Sequence, residues 1–209
     1  MKIKICGITN VSDAEFAAIE GADYIGINFS LLSKRCVSIN LGSEIAKAAF
    51  EHGTEPVAIF VDESLEDIIK ICQSTNIKTL QLHGDASRSY FKYLINHFSI
   101  FYAQDVCADG LLAQSNCLNL QAAEAVLPLY DYFKAGSGKS FDWNIFTPPE
   151  KMRWILAGGL NAGNVCEAIT LLKPYGVDVA SGVENGNRTK DPVLVRKFIQ
   201  NVRRLEGEL

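Results

Sequence analysis

No apolar run in this chain approaches the roughly 20 residues that a bilayer-spanning helix needs, so no membrane partner is expected. The amino terminus carries Lys2 and Lys4 and lacks the apolar core of a secretion signal, which makes the cytoplasm the expected compartment. Lysine and arginine form no cluster and the formal net charge is −4, a balance that gives nucleic acid no footing. Histidine is scarce, three in 209 residues, and no CxxC or Cys/His spacing is present, so nothing calls for a metal. The six cysteines, without a secretion signal, read as reduced thiols rather than a disulfide set. GxGxxG is missing after the first strand and the full GxxxxGKS/T frame is missing throughout, which argues against a nucleotide site. No coiled-coil pattern or extended apolar stripe is visible, and a monomer is expected.

What the chain does have is alternation. A hydrophobic fraction of 48% with 21% charged residues suits one ordinary globular core, and the whole of 1–209 is taken as one domain. The opening stretch Lys2-Ile3-Lys4-Ile5-Cys6-Gly7 reads as a strand, with Lys2, Lys4 and Cys6 on one face and Ile3 and Ile5 on the other. Residues 10–20 follow as a helix, capped by Asn10 or Ser12 and stopped by Gly21. Further strands are expected at 24–29, 56–61, 78–82, 99–103, 125–130, 153–157 and 177–180. Helices are expected at 43–52, 62–74, 86–97, 161–172 and 191–205, with a poorly marked one at 109–115 and a short one around 142–146. Pro128 inside the sixth strand points to an irregular entry. Eight strand–helix units in unbroken order argue a parallel α/β fold, and eight is the count that closes a (β/α)8 TIM barrel. A doubly wound open sheet is the alternative.

In such a barrel the carboxyl ends of all strands share one mouth. The residues that fall there are Cys6, Arg35, His83, Asp131, Gly158-Gly159 and Ser181-Gly182. Each also has a plain reading. A cysteine can be a small buried hydrophobe, an arginine a solvated surface group, and a Gly-Gly a tight turn. Two small-residue turns on the last two units nevertheless suit phosphate, because backbone N–H groups can approach an anion there. The loop at 136–139, beginning with Gly136, could serve the same anion. Lys4 lies one pleat below Cys6 on the same face, where its charge would favour the thiolate. Asp178 on the neighbouring last strand is expected to pair with it, since an unpaired interior lysine is costly.

Several stretches then act together: KICGIT (4–9), GAD with SKR-C-V (21–37), FVDE (60–63), LQLHG (80–84), GSGKSFDW (136–143), LAGGLNAGNV (156–165) and GVDVASGVE (176–184). In that order the chain resembles the phosphoribosylanthranilate isomerase family of tryptophan biosynthesis, over essentially its whole length. The resemblance implies an Amadori rearrangement of an anthranilate aldose N-glycoside to a 1-amino-1-deoxyketose, with no cofactor. By the same match Cys6 is the general base, Asp131 the general acid, and Arg35 the group that receives the anthranilate carboxylate. His83 contacts substrate or satisfies buried polar groups, while Asp142 and Trp143 serve as a helix cap and a packing anchor.

The implied chemistry sets two requirements. Asp131 needs a raised pKa, for which Tyr130, Tyr132 and Phe133 offer apolar neighbours in sequence. Cys6 needs deprotonation, and an unperturbed thiol near pKa 8.5 is mostly protonated at neutral pH. The loop from Phe29 to Arg35 departs from the family, which often has a proline before the serine, and Ala180 stands where a second serine is common. Two other readings remain. A ribulose-phosphate epimerase would want metal-binding histidines, which His52, His83 and His97 do not readily supply. A barrel that binds a sugar phosphate without turnover would have little use for both Cys6 and Asp131.

Overall fold

The computed structural model describes residues 1–113, 125–132, 139–148 and 152–208. Its strands are β1 (Lys2–Cys6), β2 (Tyr24–Asn28), β3 (Glu55–Phe60), β4 (Thr79–Leu82), β5 (Ser99–Val106), β6 (Val126–Tyr132), β7 (Ile155–Leu156) and β8 (Gly176–Val179). They hydrogen-bond in chain order, all parallel, and β8 returns to β1 with Lys4 opposite Asp178. The result is a closed eight-stranded barrel, as the strand count predicts.

Alternation along the strands sorts the core into two layers. Val57, Phe101, Ala103, Leu129, Ile155 and Ala157, with Tyr24 and Leu127 against them, fill the barrel interior. Ile3, Ile5, Ile25, Ile27, Leu80, Leu82, Tyr130, Tyr132 and Val177 belong to the larger layer beneath the helices. Those helices are α1 (Val11–Ile19), α2 (Ile39–Glu51), α3 (Leu65–Thr75), α4 (Asp85–Ser89), α5 (Phe91–Leu94), α6 (Val165–Leu172) and α7 (Pro192–Glu208). Asn10, and not Ser12, caps α1 by accepting from the Asp13 N–H at 2.8 Å. The long α7 buries Val195, Phe198, Ile199 and Val202 on its apolar stripe.

The differences from the sequence reading have local causes. Helix α2 starts one turn before residue 43, because Ser38 caps it at the Leu41 N–H. Gly42 lies inside that helix where the Phe29 ring presses on it, so a Cβ there would come within 2.5 Å of Cε1. The helix expected at 86–97 breaks at Tyr90 into α4 and α5. No helix runs over 109–113, where Leu112 instead bridges antiparallel to Val106; residues 114 and 115 lie outside the described residues. At 142–146 there is a single turn, closed by Phe146 N–H to the Asp142 carbonyl at 3.2 Å. Pro128 interrupts nothing and stands opposite Tyr102 within β6. No helix among the described residues is long and apolar enough to cross a membrane.

Candidate active site

The carboxyl ends of the strands open into a cavity of about 500 Å³. Its wall includes Cys6, Arg35, Gln81, His83, Asp131, Gly158, Gly159, Asp178 and Ser181. Gly182 is set behind that wall, where a Cβ would fall 1.9 Å from the Leu160 carbonyl oxygen. It therefore packs the two small-residue turns together instead of lining the cavity. Gly136 lies outside the described residues. A hollow of about 730 Å³ at the opposite end of the barrel has Lys2, Asp23, Glu55 and Lys78 on its wall. None of the strand-end residues singled out above reaches that second hollow.

Lys4 and Asp178 meet below Cys6, with Nζ donating to Oδ1 at 3.0 Å and both side chains buried. The pairing is the one expected from strand adjacency. Burial alone would pull Lys4 down, but Asp178 and then Cys6 outweigh it and hold the ammonium above its ordinary pKa. The Lys4 charge favours the Cys6 thiolate, as its place on the strand suggests, but it does not prevail. Burial foremost, then the Asp178 charge, pushes the Cys6 thiol above its ordinary value, and Lys4 and Lys190 only lessen the rise.

Asp131, the penultimate residue of β6, stands opposite Asp105 on β5. Burial foremost, then Asp178, lifts its carboxyl from 3.8 to about 7; Asp105 adds to this, while the Tyr132 N–H and Lys4 oppose it. The cause differs in part from the sequence reading. Tyr130 and Tyr132 are in the outer layer with the helices, so strand alternation turns them away from the carboxyl. Phe133 lies outside the described residues.

His83 brings Nε2 to 3.8 Å from Asp131 Oδ2, too far for a hydrogen bond. Burial foremost, with the Arg88 and Lys4 charges, lowers the ring to about 4, so the imidazole is neutral. Its Nδ1 is 3.1 Å from Gln81 Nε2. With Gln81 donating there, the ring proton sits on Nε2, facing Asp131. Gln81 escaped the sequence reading because an inward glutamine in a strand carries no local signal.

Arg35 reaches the cavity from the loop after β2 across Gly7, whose φ of +72° suits glycine. A Cβ on Gly7 would lie 2.3 Å from Arg35 Cδ. The guanidinium is held by Glu184, with Nε donating to Oε1 at 2.6 Å and Nη2 to Oε2 at 2.8 Å. Lys190 donates to the same Oε1 at 2.8 Å and to the Ala180 carbonyl at 3.1 Å. Neither Glu184 nor Lys190 was singled out from the sequence, since Glu184 meets Arg35 from 149 positions away.

The first small-residue turn is braced from behind. Asn164 accepts from the Asn161 N–H at 2.8 Å and donates to the Gly159 carbonyl at 3.0 Å. That service occupies residues 161–164, and α6 accordingly starts at Val165 rather than at residue 161. Asp142 accepts from the Asn144 N–H at 2.9 Å in its turn, and Trp143 packs at the edge of the core. Among the described residues no group of three or more His, Cys, Asp and Glu side chains could hold a metal ion.

A closed parallel barrel with a half-buried thiol, a carboxyl poised near neutrality and two small-residue turns at its mouth belongs to the (β/α)8 enzymes. A family model described as N-(5'-phosphoribosyl)anthranilate (PRA) isomerase matches residues 3–201. The N-(5'-phosphoribosyl)anthranilate isomerase of Chlamydia felis is 45% identical over 204 residues, 97% of each chain. Monomers generated from the dimeric phosphoribosylanthranilate isomerase of Thermotoga maritima superpose with a TM-score of 0.80 at 31% identity, covering 97% of this chain and 98% of that one. A phosphoribosylanthranilate isomerase in complex with reduced 1-(o-carboxyphenylamino)-1-deoxyribulose 5-phosphate gives 0.79 at 29% identity, with 97% and 98% covered. The chain belongs to the N-(5'-phosphoribosyl)anthranilate isomerase family, and it is an isomerase of tryptophan biosynthesis.

Proposed function

We propose that Cys6 and Asp131 carry the proton transfers of an Amadori rearrangement of N-(5'-phosphoribosyl)anthranilate to 1-(2-carboxyphenylamino)-1-deoxyribulose 5-phosphate. Asp131 gives its proton to the furanose ring oxygen as the bond from that oxygen to C1 breaks, leaving a Schiff base. The Cys6 thiolate then removes the C2 proton, and the enolamine that results tautomerises to the ketone. No electron acceptor enters, because the aldose carbon is reduced as C2 is oxidised within one molecule.

The observation that carries this reading is Asp131: a carboxyl at about 7, facing the same cavity as Cys6, can hold a proton to deliver. The remaining wall suits the rest of the substrate. Gly158-Gly159 and Ser181 face the cavity where the 5'-phosphate is placed by this reading. Arg35 is assigned the anthranilate carboxylate, and Leu32, 71% exposed on the same wall, offers apolar surface to the aromatic ring. His83 is assigned a substrate or network contact, and no proton transfer. The working unit is taken as a monomer, because the sequence has no coiled-coil pattern or extended apolar stripe; size-exclusion chromatography at assay concentration tests that.

The catalytic roles are tested by fluorescence turnover of freshly made phosphoribosylanthranilate with wild type, Cys6→Ser and Asp131→Asn. Each substitution is expected to lower kcat by about 10²–10⁴-fold with the fold intact by circular dichroism. Wild-type turnover with little loss in either variant would reassign both roles. A folded wild type without turnover would favour the binding-only barrel.

A further inference from the structure

We infer that Glu184 is a positioning residue that sets the orientation of Arg35, so that the guanidinium meets a ring carboxylate with its remaining edge. The inference rests on the assignment of Arg35 to the anthranilate carboxylate. A guanidinium has two edges that can grip a carboxylate in parallel: the side edge, Nε with one Nη, and the end edge, both Nη atoms. Glu184 takes the side edge, through Nε at 2.6 Å and Nη2 at 2.8 Å. Nη1 makes no hydrogen bond among the described residues, and Arg35 stands on the cavity wall. The end edge is therefore the one left for an incoming carboxylate.

Glu184 is built to stay where it is. Its side chain is only 6% exposed and its Oε1 is shared by Arg35 and by Lys190, itself 2% exposed. Glu184 and Lys190 are also antiparallel bridge partners across the loop after β8. The Lys190 backbone N–H is held by Asp13 at 2.7 Å, and its ammonium by the Ala180 carbonyl in the second small-residue turn. Releasing Glu184 when substrate arrives would strand a buried carboxylate on one partner, a costly exchange. Retaining it leaves Arg35 and Lys190 sharing one carboxylate, a trio with one positive charge to spare for a substrate carboxylate, while Asp13 is engaged on the Lys190 backbone. The same chain of contacts ties the carboxylate clamp to the turn assigned to phosphate, so the two ends of the substrate are gauged against one frame. A mere competitor for Arg35 would need none of this anchoring.

The test is calorimetric titration with two ligands, reduced 1-(o-carboxyphenylamino)-1-deoxyribulose 5-phosphate and its analogue lacking the carboxyl group. The proteins are wild type, Arg35→Met, Glu184→Gln and Glu184→Asp, each first checked for an intact fold by circular dichroism. Wild type is expected to prefer the carboxylated ligand, and Arg35→Met to lose that preference. Glu184→Gln is expected to cut the preference about tenfold through weaker binding of the carboxylated ligand alone, within twofold for the other. A structural role would weaken both ligands together. Glu184→Asp keeps the charge but withdraws it by one methylene, and it is expected to lose the preference as Gln does. Full preference in either Glu184 variant, or a gain in it, with Arg35→Met still selective-deficient would overturn the inference and leave Arg35 in place. Full preference in Arg35→Met would instead remove the Arg35 assignment itself.

Discussion

Catalysis by a thiolate and a carboxylic acid needs Cys6 without its proton while Asp131 keeps one. Burial arranges the reverse order, with Asp131 at about 7 and Cys6 above the ordinary thiol range. Below pH 7 Asp131 is protonated, and each pH unit raises the thiolate tenfold. Above pH 7 the thiolate still rises tenfold per unit, but protonated Asp131 falls tenfold, so the reactive pair stays level. Thus kcat/KM is expected to climb with unit slope to about pH 7, run flat, and fall only when Cys6 itself titrates. In Asp131→Asn the break near pH 7 should vanish; a wild-type profile that instead falls above pH 7 would reject this pairing of roles. The same ionisation acts on stability. Because the folded pKa is raised, folding is favoured most below the unfolded value near 4 and the benefit is lost as pH rises through about 7. The loss is up to about 4 kcal/mol. Urea unfolding at pH 5 and pH 8 should show about 2–3 kcal/mol of it in wild type and none in Asp131→Asn.

At the scale of elements, β1 and the turn that ends it decide where Arg35 can lie. Gly7→Ala would place a methyl 2.3 Å from Arg35 Cδ on a backbone with φ of +72°. The variant is expected to lose about 1–2 kcal/mol of stability and to raise KM more than it lowers kcat. Thermal melts and steady-state kinetics check both, and unchanged KM would show that Arg35 reaches substrate by another path. The elements themselves were largely legible, because buried parallel strands read as short apolar runs between helix-period segments. Misreadings arose where tertiary contacts override local signals. The Gly42-Ser43 pair looks like a helix start, yet the glycine is there to let Phe29 pack inside α2. Asn161 looks like a cap, but it and Asn164 first fold back on the turn that precedes α6. The single turn at 142–146 carries helical spacing without enough length to propagate a helix.

For the molecule as a whole, strand order turned scattered residues into one site. Cys6, His83 and Asp131 share the mouth because each lies at or within one residue of the carboxyl end of a strand, which periodicity and strand count together make legible. Glu184 and Gln81 were not legible, since their meaning lies in partners brought by closure or by facing side chains. Closure itself leaves a signature at Lys4 and Asp178, 174 positions apart and paired where the last strand meets the first. The Lys4 and Asp178 side chains are 0% and 8% exposed, so losing one partner leaves the other largely buried charge without its counter-ion. Lys4→Met is expected to cost about 3–5 kcal/mol in urea unfolding, and the double change Lys4→Met with Asp178→Leu to cost clearly less. The double variant removes Asp178, which raises Asp131, together with Lys4, which lowers it by less, so the kinetic break near pH 7 should move to lower pH. Equal destabilisation in single and double variants would mean that packing volume, and not the stranded charge, governs the seam.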